Sequence, residues 1–118
     1  MAKILVVDDS AFQRKNIISK LVNAEHEVFA AGDGLEGLAA VEEHQPDLIL
    51  SDLLMPNMDG FQMIEELNKK GSKTPVVVLS ADIQSSSHDR VMELGVFAKL
   101  DKPPTLEALL DAVDKALS

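Results

Sequence analysis

Apolar residues come in short runs along this chain, and each run stops at polar or turn-forming residues. Lys3-Ile4-Leu5-Val6-Val7 ends at Asp8-Asp9, and Glu27-Val28-Phe29-Ala30-Ala31 ends at Gly32-Asp33-Gly34. Leu48-Ile49-Leu50-Ser51 meets a carboxylate, Asp52, followed by Leu53-Leu54-Met55-Pro56 and the loop Asn57-Met58-Asp59-Gly60. Pro75-Val76-Val77-Val78-Leu79 ends at Ser80-Ala81-Asp82, and Val96-Phe97-Ala98-Lys99-Leu100 leads into Asp101-Lys102-Pro103-Pro104. Runs of this length bounded by turn residues predict five strands, the central ones buried on both faces.

Between the runs the apolar spacing becomes helical. Ser10 is a suitable N-cap for a helix in which Ala11, Ile18, Leu21 and Val22 share a face. Asp33 can cap a second helix reaching His44, with Leu35, Leu38 and Val41 as its stripe and Gln45-Pro46-Asp47 as its break. A third is predicted over 60–70, with Phe61, Ile64 and Leu67 on one side and Gly71 as its stop. A fourth over 85–94 has weak support, since it holds three serines and few apolar residues before Gly95. The last runs from about Thr105 to Leu117, with Leu106, Leu109, Leu110, Val113 and Leu117 apolar. Strand and helix thus alternate five times, which predicts a parallel α/β sheet with helices on both faces. A length of 118 residues suits one domain, 1–118, with no linker or repeat beyond the strand–helix unit.

Composition narrows the function classes. No apolar run is long enough to span a bilayer and no charged-then-apolar leader is present, so a cytoplasmic protein is expected. Zero cysteines exclude a disulfide framework and thiolate metal sites. A formal net charge of −9 argues against nucleic-acid binding by this domain and favours divalent cations or basic partners. Four Phe and no Tyr or Trp offer little for base stacking. His26, His44 and His88 lack ligand spacing and are read as surface residues, and the methionines as filler. Gly32-Asp33-Gly34-Leu35-Glu36-Gly37 fits G-x-G-x-x-G, but it follows the second strand. Asp33 and Glu36 also put negative charge where a pyrophosphate would sit, so a glycine turn and a capped helix are expected instead.

The chemistry concentrates at strand ends. Asp8-Asp9, Asp52 and Ser80 end the first, third and fourth strands, and Lys102 follows the fifth. Parallel strands bring such ends to one edge of the sheet, where open α/β sheets bind ligands. Three carboxylates there repel one another unless a cation joins them, and a hard divalent ion such as Mg²⁺ suits oxygen ligands. Lys102 adds a compact positive charge and Ser80 a hydroxyl donor. Charge neutralisation with in-line positioning is what phosphoryl transfer to a carboxylate needs, with Asp52 as nucleophile.

These motifs, from Ile4 through Asp9, Pro46 through Asp52, Met55-Pro56 with Asp59-Gly60, Leu79-Ser80-Ala81 and Lys102-Pro103, resemble the receiver domain of response regulators in two-component signalling. The resemblance covers essentially the whole chain and is nearest in kind to a single-domain, chemotaxis-type receiver. It implies a flavodoxin-like five-stranded sheet of order 2-1-3-4-5, an order known from the family rather than read from the residues. It implies phosphorylation of Asp52 by a histidine kinase or phosphotransfer protein, with Mg²⁺ bound by Asp9, Asp52 and the Leu54 backbone carbonyl and assisted by Asp8. Ser80 and Lys102 would contact the phosphoryl group, and a cis peptide would precede Pro103. Such a domain is a switch that catalyses only its own phosphorylation and dephosphorylation. It would act on a downstream target protein as a monomer, with no membrane contact.

Two positions depart from the family pattern. Lys99 stands where many receivers have an aromatic residue, with Phe97 two positions earlier, and both are candidates for an output surface. A lysine cannot bury itself as a tyrosine does without losing hydration. Leu54 is apolar where the family is often polar, which favours a long-lived phosphoform. Three competing readings are a small Mg²⁺-dependent aspartyl-phosphate phosphatase, a receiver excised from a multidomain transcriptional regulator, and a constitutive pseudo-receiver. The first lacks a suitably placed second acid and a substrate cap, and the last conflicts with retention of all five site residues.

Overall fold

Every apolar run forms a strand, and all the strands pair in parallel. A computed structural model describes residues 2–53, 55–80, 85–102 and 104–118, with the backbone alone for 85–88. The order along the chain is β1 (Lys3–Val7), α1 (Ala11–Asn23), β2 (Glu27–Ala31), α2 (Gly34–His44), β3 (Leu48–Asp52), α3 (Gly60–Lys69), β4 (Val76–Ser80), α4 (Ser85–Glu93), β5 (Ala98–Asp101) and α5 (Leu106–Leu117). The sheet order is β2-β1-β3-β4-β5, as the family resemblance implies. In register, Val7 lies beside Ser51, Asp52 beside Leu79, and Ser80 beside Asp101.

Alternation along the strands feeds two cores. Ile4, Val6, Leu48, Leu50, Val77 and Leu79 face α1 and α5, meeting Ile17, Leu21, Leu109 and Val113. Leu5, Val7, Ile49 and Val78 face the other way, onto Phe61, Met63, Ile64 and Leu67 of α3 and onto partly buried Leu38 and Val41 of α2. Because both faces are covered, β4 is buried at every position.

Helix faces differ from the expected stripes in two places. In α1 the buried pair is Ile17 and Leu21, one helical turn apart, while Val22 is 52% exposed. In α2, Leu38 and Val41 pack on the core as expected, Gly34 and Gly37 are its buried residues, and Leu35 points outward, 53% exposed. A Cβ on Gly37 would lie 2.8 Å from Met63 Sδ, and one on Gly34 would lie 2.6 Å from the Met58 carbonyl oxygen. The glycines of the G-x-G-x-x-G segment therefore serve close helix packing.

Local caps follow the sequence. Ser10, Asp33, Asp59 and Thr105 each accept a backbone hydrogen bond at the start of α1, α2, α3 and α5. Asp59 and Gln62 form a reciprocal capping box. Gly71 and Gly95 take positive φ after α3 and α4, where a Cβ would be strained. Weak α4 is held from outside: Arg90 lies 3.9 Å over the Phe61 ring, Val91 is buried, and Asn68 Nδ2 donates to the Leu94 carbonyl at 2.9 Å.

Two histidines depart from the expected surface role. The His44 ring stacks on Phe29 at 3.9 Å, and His26 Nδ1 accepts the Ala2 amide at 3.2 Å, so both are half-buried. His88's side chain lies outside the described residues.

Asp33 does more than cap α2. Its Oδ1 accepts the Glu36 amide at 2.8 Å, and its Oδ2 accepts Asn57 Nδ2 at 2.7 Å. Asn57 sits at φ 64°, a left-handed conformation that Asn tolerates better than most residues. The Gly34 amide also donates to the Met58 carbonyl at 2.9 Å, so the loop after β3 is strapped to the start of α2.

Two outcomes are expected. Gly34→Ala forces a methyl against the Met58 backbone and should lower stability by about 1–3 kcal/mol, read as a lower urea midpoint. The bonds from the Glu36 amide and Asn57 hold the Asp33 carboxyl below its ordinary value of 3.8. A carboxylate held low stabilises the fold above its unfolded pKa, and that stability is lost as pH falls through the folded one. Urea midpoints measured downward from pH 3.8 should therefore fall less steeply in Asp33→Asn than in the parent.

Candidate functional site

The site lies where β1, β3 and β5 end. Asp8 follows β1, Asp52 closes β3, and Lys102 follows β5. Lys102 Nζ donates to Asp8 Oδ2 at 3.0 Å, to Asp52 Oδ2 at 2.9 Å and to Gln13 Oε1 at 2.7 Å. An ammonium has three N–H donors, and these three acceptors match them. Burial opposes charge on Lys102, but its hydrogen bonds to Asp52 and Asp8 hold the ammonium above the ordinary lysine value.

Each carboxylate is held by its own strand end. Asp8 is 1% exposed; its Oδ1 accepts the Ser10 amide at 2.9 Å and its carbonyl accepts Arg14 Nη1 at 2.6 Å. Asp52 Oδ1 accepts the Leu53 amide at 2.8 Å, and the Ser51 hydroxyl donates to the Asp52 carbonyl at 2.8 Å. The Gly60 amide donates to the Leu53 carbonyl at 2.7 Å, and a Cβ on Gly60 would overlap the Asp52 carbonyl. The Asp59-Gly60 pair thus lets α3 start directly against the acidic strand end. Asp9 is exposed, and among the described residues no cation lies within salt-bridge distance of it.

Asp8, Asp9 and Asp52 each bring a carboxylate oxygen within 4.8 Å of the others. Three carboxylates against the Lys102 ammonium and the Arg14 guanidinium leave one formal negative charge in this cleft. An all-oxygen donor set with that surplus is compatible with Mg²⁺.

Of the residues expected at this edge, the structure brings Asp8, Asp9, Asp52 and Lys102 together. Ser80 is 3% exposed at the end of β4, and its carbonyl accepts the Lys102 amide at 2.9 Å. Lys99 lies within β5 beside Val78 and is half-buried. Phe97 precedes β5, and its amide donates to the Val76 carbonyl at 2.8 Å. It therefore sits near the opposite, amino-terminal edge of the sheet, 45% exposed. The Leu54 carbonyl and side chain and the peptide before Pro103 lie outside the described residues. Gln13 and Arg14 were not expected at the site. The usable signal is that α1 begins at the active edge and helical side chains lean towards the N-terminus, which aims its first turn back at Asp8.

Comparison with known proteins agrees with this geometry. The chain is 39% identical to the protein-glutamate methylesterase/protein-glutamine glutaminase 2 of Koribacter versatilis, over 94% of this chain and 33% of that protein. It is 35% identical to the sensor histidine kinase RcsC of Salmonella typhi, over 90% of this chain and 11% of that protein. The chain thus spans a third or less of these curated relatives. The crystal structure of chemotaxis protein CheY4 from Vibrio cholerae superposes with a TM-score of 0.93 at 33% identity, covering 99% of both chains. Among the described residues no helix is long and apolar enough to cross a membrane. Residues 4–114 match the response regulator receiver domain, and the chain belongs to that family of two-component signalling domains.

Proposed function

We propose that Asp52 is the phosphoacceptor of this receiver, and that its donor is a phosphohistidine on a histidine kinase or phosphotransfer protein. The observation that carries the reading is the ammonium of Lys102 shared between Asp8 and Asp52, beside a third carboxylate. An oxygen of Asp52 attacks phosphorus, the bond from phosphorus to the histidine nitrogen breaks, and an acyl phosphate forms. Lys102 is poised to pass one of its hydrogen bonds from Asp52 to a phosphoryl oxygen, meeting charge where it develops. The Ser80 hydroxyl, at the end of the neighbouring strand, contacts the phosphoryl group. Asp8, Asp9 and Asp52 would hold Mg²⁺. When bound, the ion supplies neutralisation of the phosphoryl oxygens.

Residues 1–118 act in this reading as one monomeric receiver domain, supported by two cores that share a single sheet. Phosphorylation adds charge at the β3 edge and changes the protein-binding surface made by α4 and β5, including half-buried Lys99. A downstream protein reads that surface in the cytoplasm.

Two measurements test this. Incubation with a small phosphodonor and Mg²⁺ should add one base- and hydroxylamine-labile phosphoryl group by mass spectrometry, and Asp52→Asn should take none; label retained by that variant would sink the assignment. A cation bound only by the folded chain at about 100 times its Kd adds about 2.7 kcal/mol. Mg²⁺ should accordingly raise the melting temperature, while Asp9→Asn should melt higher than the parent in chelator and gain less from Mg²⁺, because it removes one of three mutually repelling carboxylates.

A further inference from the structure

We propose that Gln13 is a positioning residue for phosphoryl transfer, holding Lys102 between the two acids through its side-chain carbonyl. This deepens the reading of Asp52 as phosphoacceptor and rests on it. The contact to Gln13 Oε1, at 2.7 Å, is the shortest of the three that Lys102 Nζ makes. It comes from a different segment from the acids: Gln13 lies in the first turn of α1, and its amide is itself fixed by the Ser10 cap at 3.3 Å. Asp8 and Asp52 both pull the ammonium inward. Gln13 is the neutral acceptor on the outer side, and it keeps the third N–H from being claimed by water or by a carboxylate.

That neutrality matters for the reaction. The donor that Lys102 presents to an incoming phosphoryl oxygen is one it now gives to Asp52. With Gln13 in place the ammonium can release Asp52 without leaving the cleft, because two of its three bonds persist. Without it, an ammonium that releases Asp52 is left with Asp8 as its single anchor, and its third N–H is open to water. Gln13 also lines a groove of about 350 Å³ with Phe12, Asn16, Lys20 and Pro104, so the positioning bond sits on the rim of the site. Helical side chains lean towards the N-terminus, which gives α1's first turn this reach.

The test uses Gln13→Leu, which keeps the size and removes the acceptor. A hydrogen bond to a charged group is worth about tenfold or more, and an exposed one belongs at the lower end. The rate of phosphorylation by a small phosphodonor is expected to fall by about 10-fold, with Mg²⁺ affinity by calorimetry and melting temperature unchanged. The Lys102 ammonium resonance in a proton–nitrogen spectrum, assigned by its loss in Lys102→Arg, should exchange with water faster than in the parent. A rate within about twofold of the parent overturns the proposal, as does a slower rate with unchanged ammonium exchange. A fall in rate that tracks a fall in Mg²⁺ affinity or melting temperature also overturns it, since that marks a structural role. Parent chain that labels on Asp52 while Gln13→Leu labels at the same rate defeats this inference alone; failure of the parent to label defeats the underlying assignment.

Discussion

Lys102 sits where three separate strand ends must meet, and its ammonium is what makes that meeting tolerable. Asp8 is almost fully buried, and a carboxylate in that position needs a partner in reach. Lys102 supplies one, and shares itself with Asp52 at nearly the same distance. The parallel sheet is the device that allows this. Residues ninety-four positions apart, Asp8 and Lys102, become neighbours only because β1, β3 and β5 all finish on the same side. The cleft nevertheless keeps a surplus of negative charge, so the fold maintains a local imbalance that a cation can relieve.

Much of this arrangement was legible in the residues, for a specific reason. A run of β-branched and aliphatic residues cut off by an acid reports both a strand and which group it delivers to its end. The chain has several such runs, and the parallel pairing then needs only short connections. Helix faces were less legible. In α1 the apolar stripe contains more candidates than the sheet can receive, and the rotation set by the Ser10 cap buries Ile17 rather than Val22. In α2 the stripe holds for Leu38 and Val41 but not for Leu35, and the closest approaches are made by hydrogens on Gly34 against Met58 and on Gly37 against Met63 and Val7. The stack of His44 on Phe29 joins residues from different elements, which no local pattern announces. Gln13 reads along the chain as one more polar residue on a solvated helix face, and only the direction of its side chain makes it part of the site.

Helix α4 shows local and tertiary forces in tension. Its sequence is a poor helix former, yet Arg90 on Phe61, buried Val91 and the Asn68 bond to Leu94 hold its C-terminal half against α3 and the sheet. Its helical state thus depends on neighbours more than on its own backbone preference. An element of that kind is well suited to respond when its surroundings change, because few intrinsic terms resist the change.

The strap between Asp33 and Asn57 has a mechanical corollary. With the Gly34 amide on Met58 and no side chain between the two backbones, the segment behind the acidic strand end and the first turn of α2 have no compliant layer between them. A displacement of Asn57 or Met58 is coupled directly to the first turn of the helix. The mouth of the cleft and the flank of the sheet beside β2 are thus joined through α2 by direct hydrogen bonds.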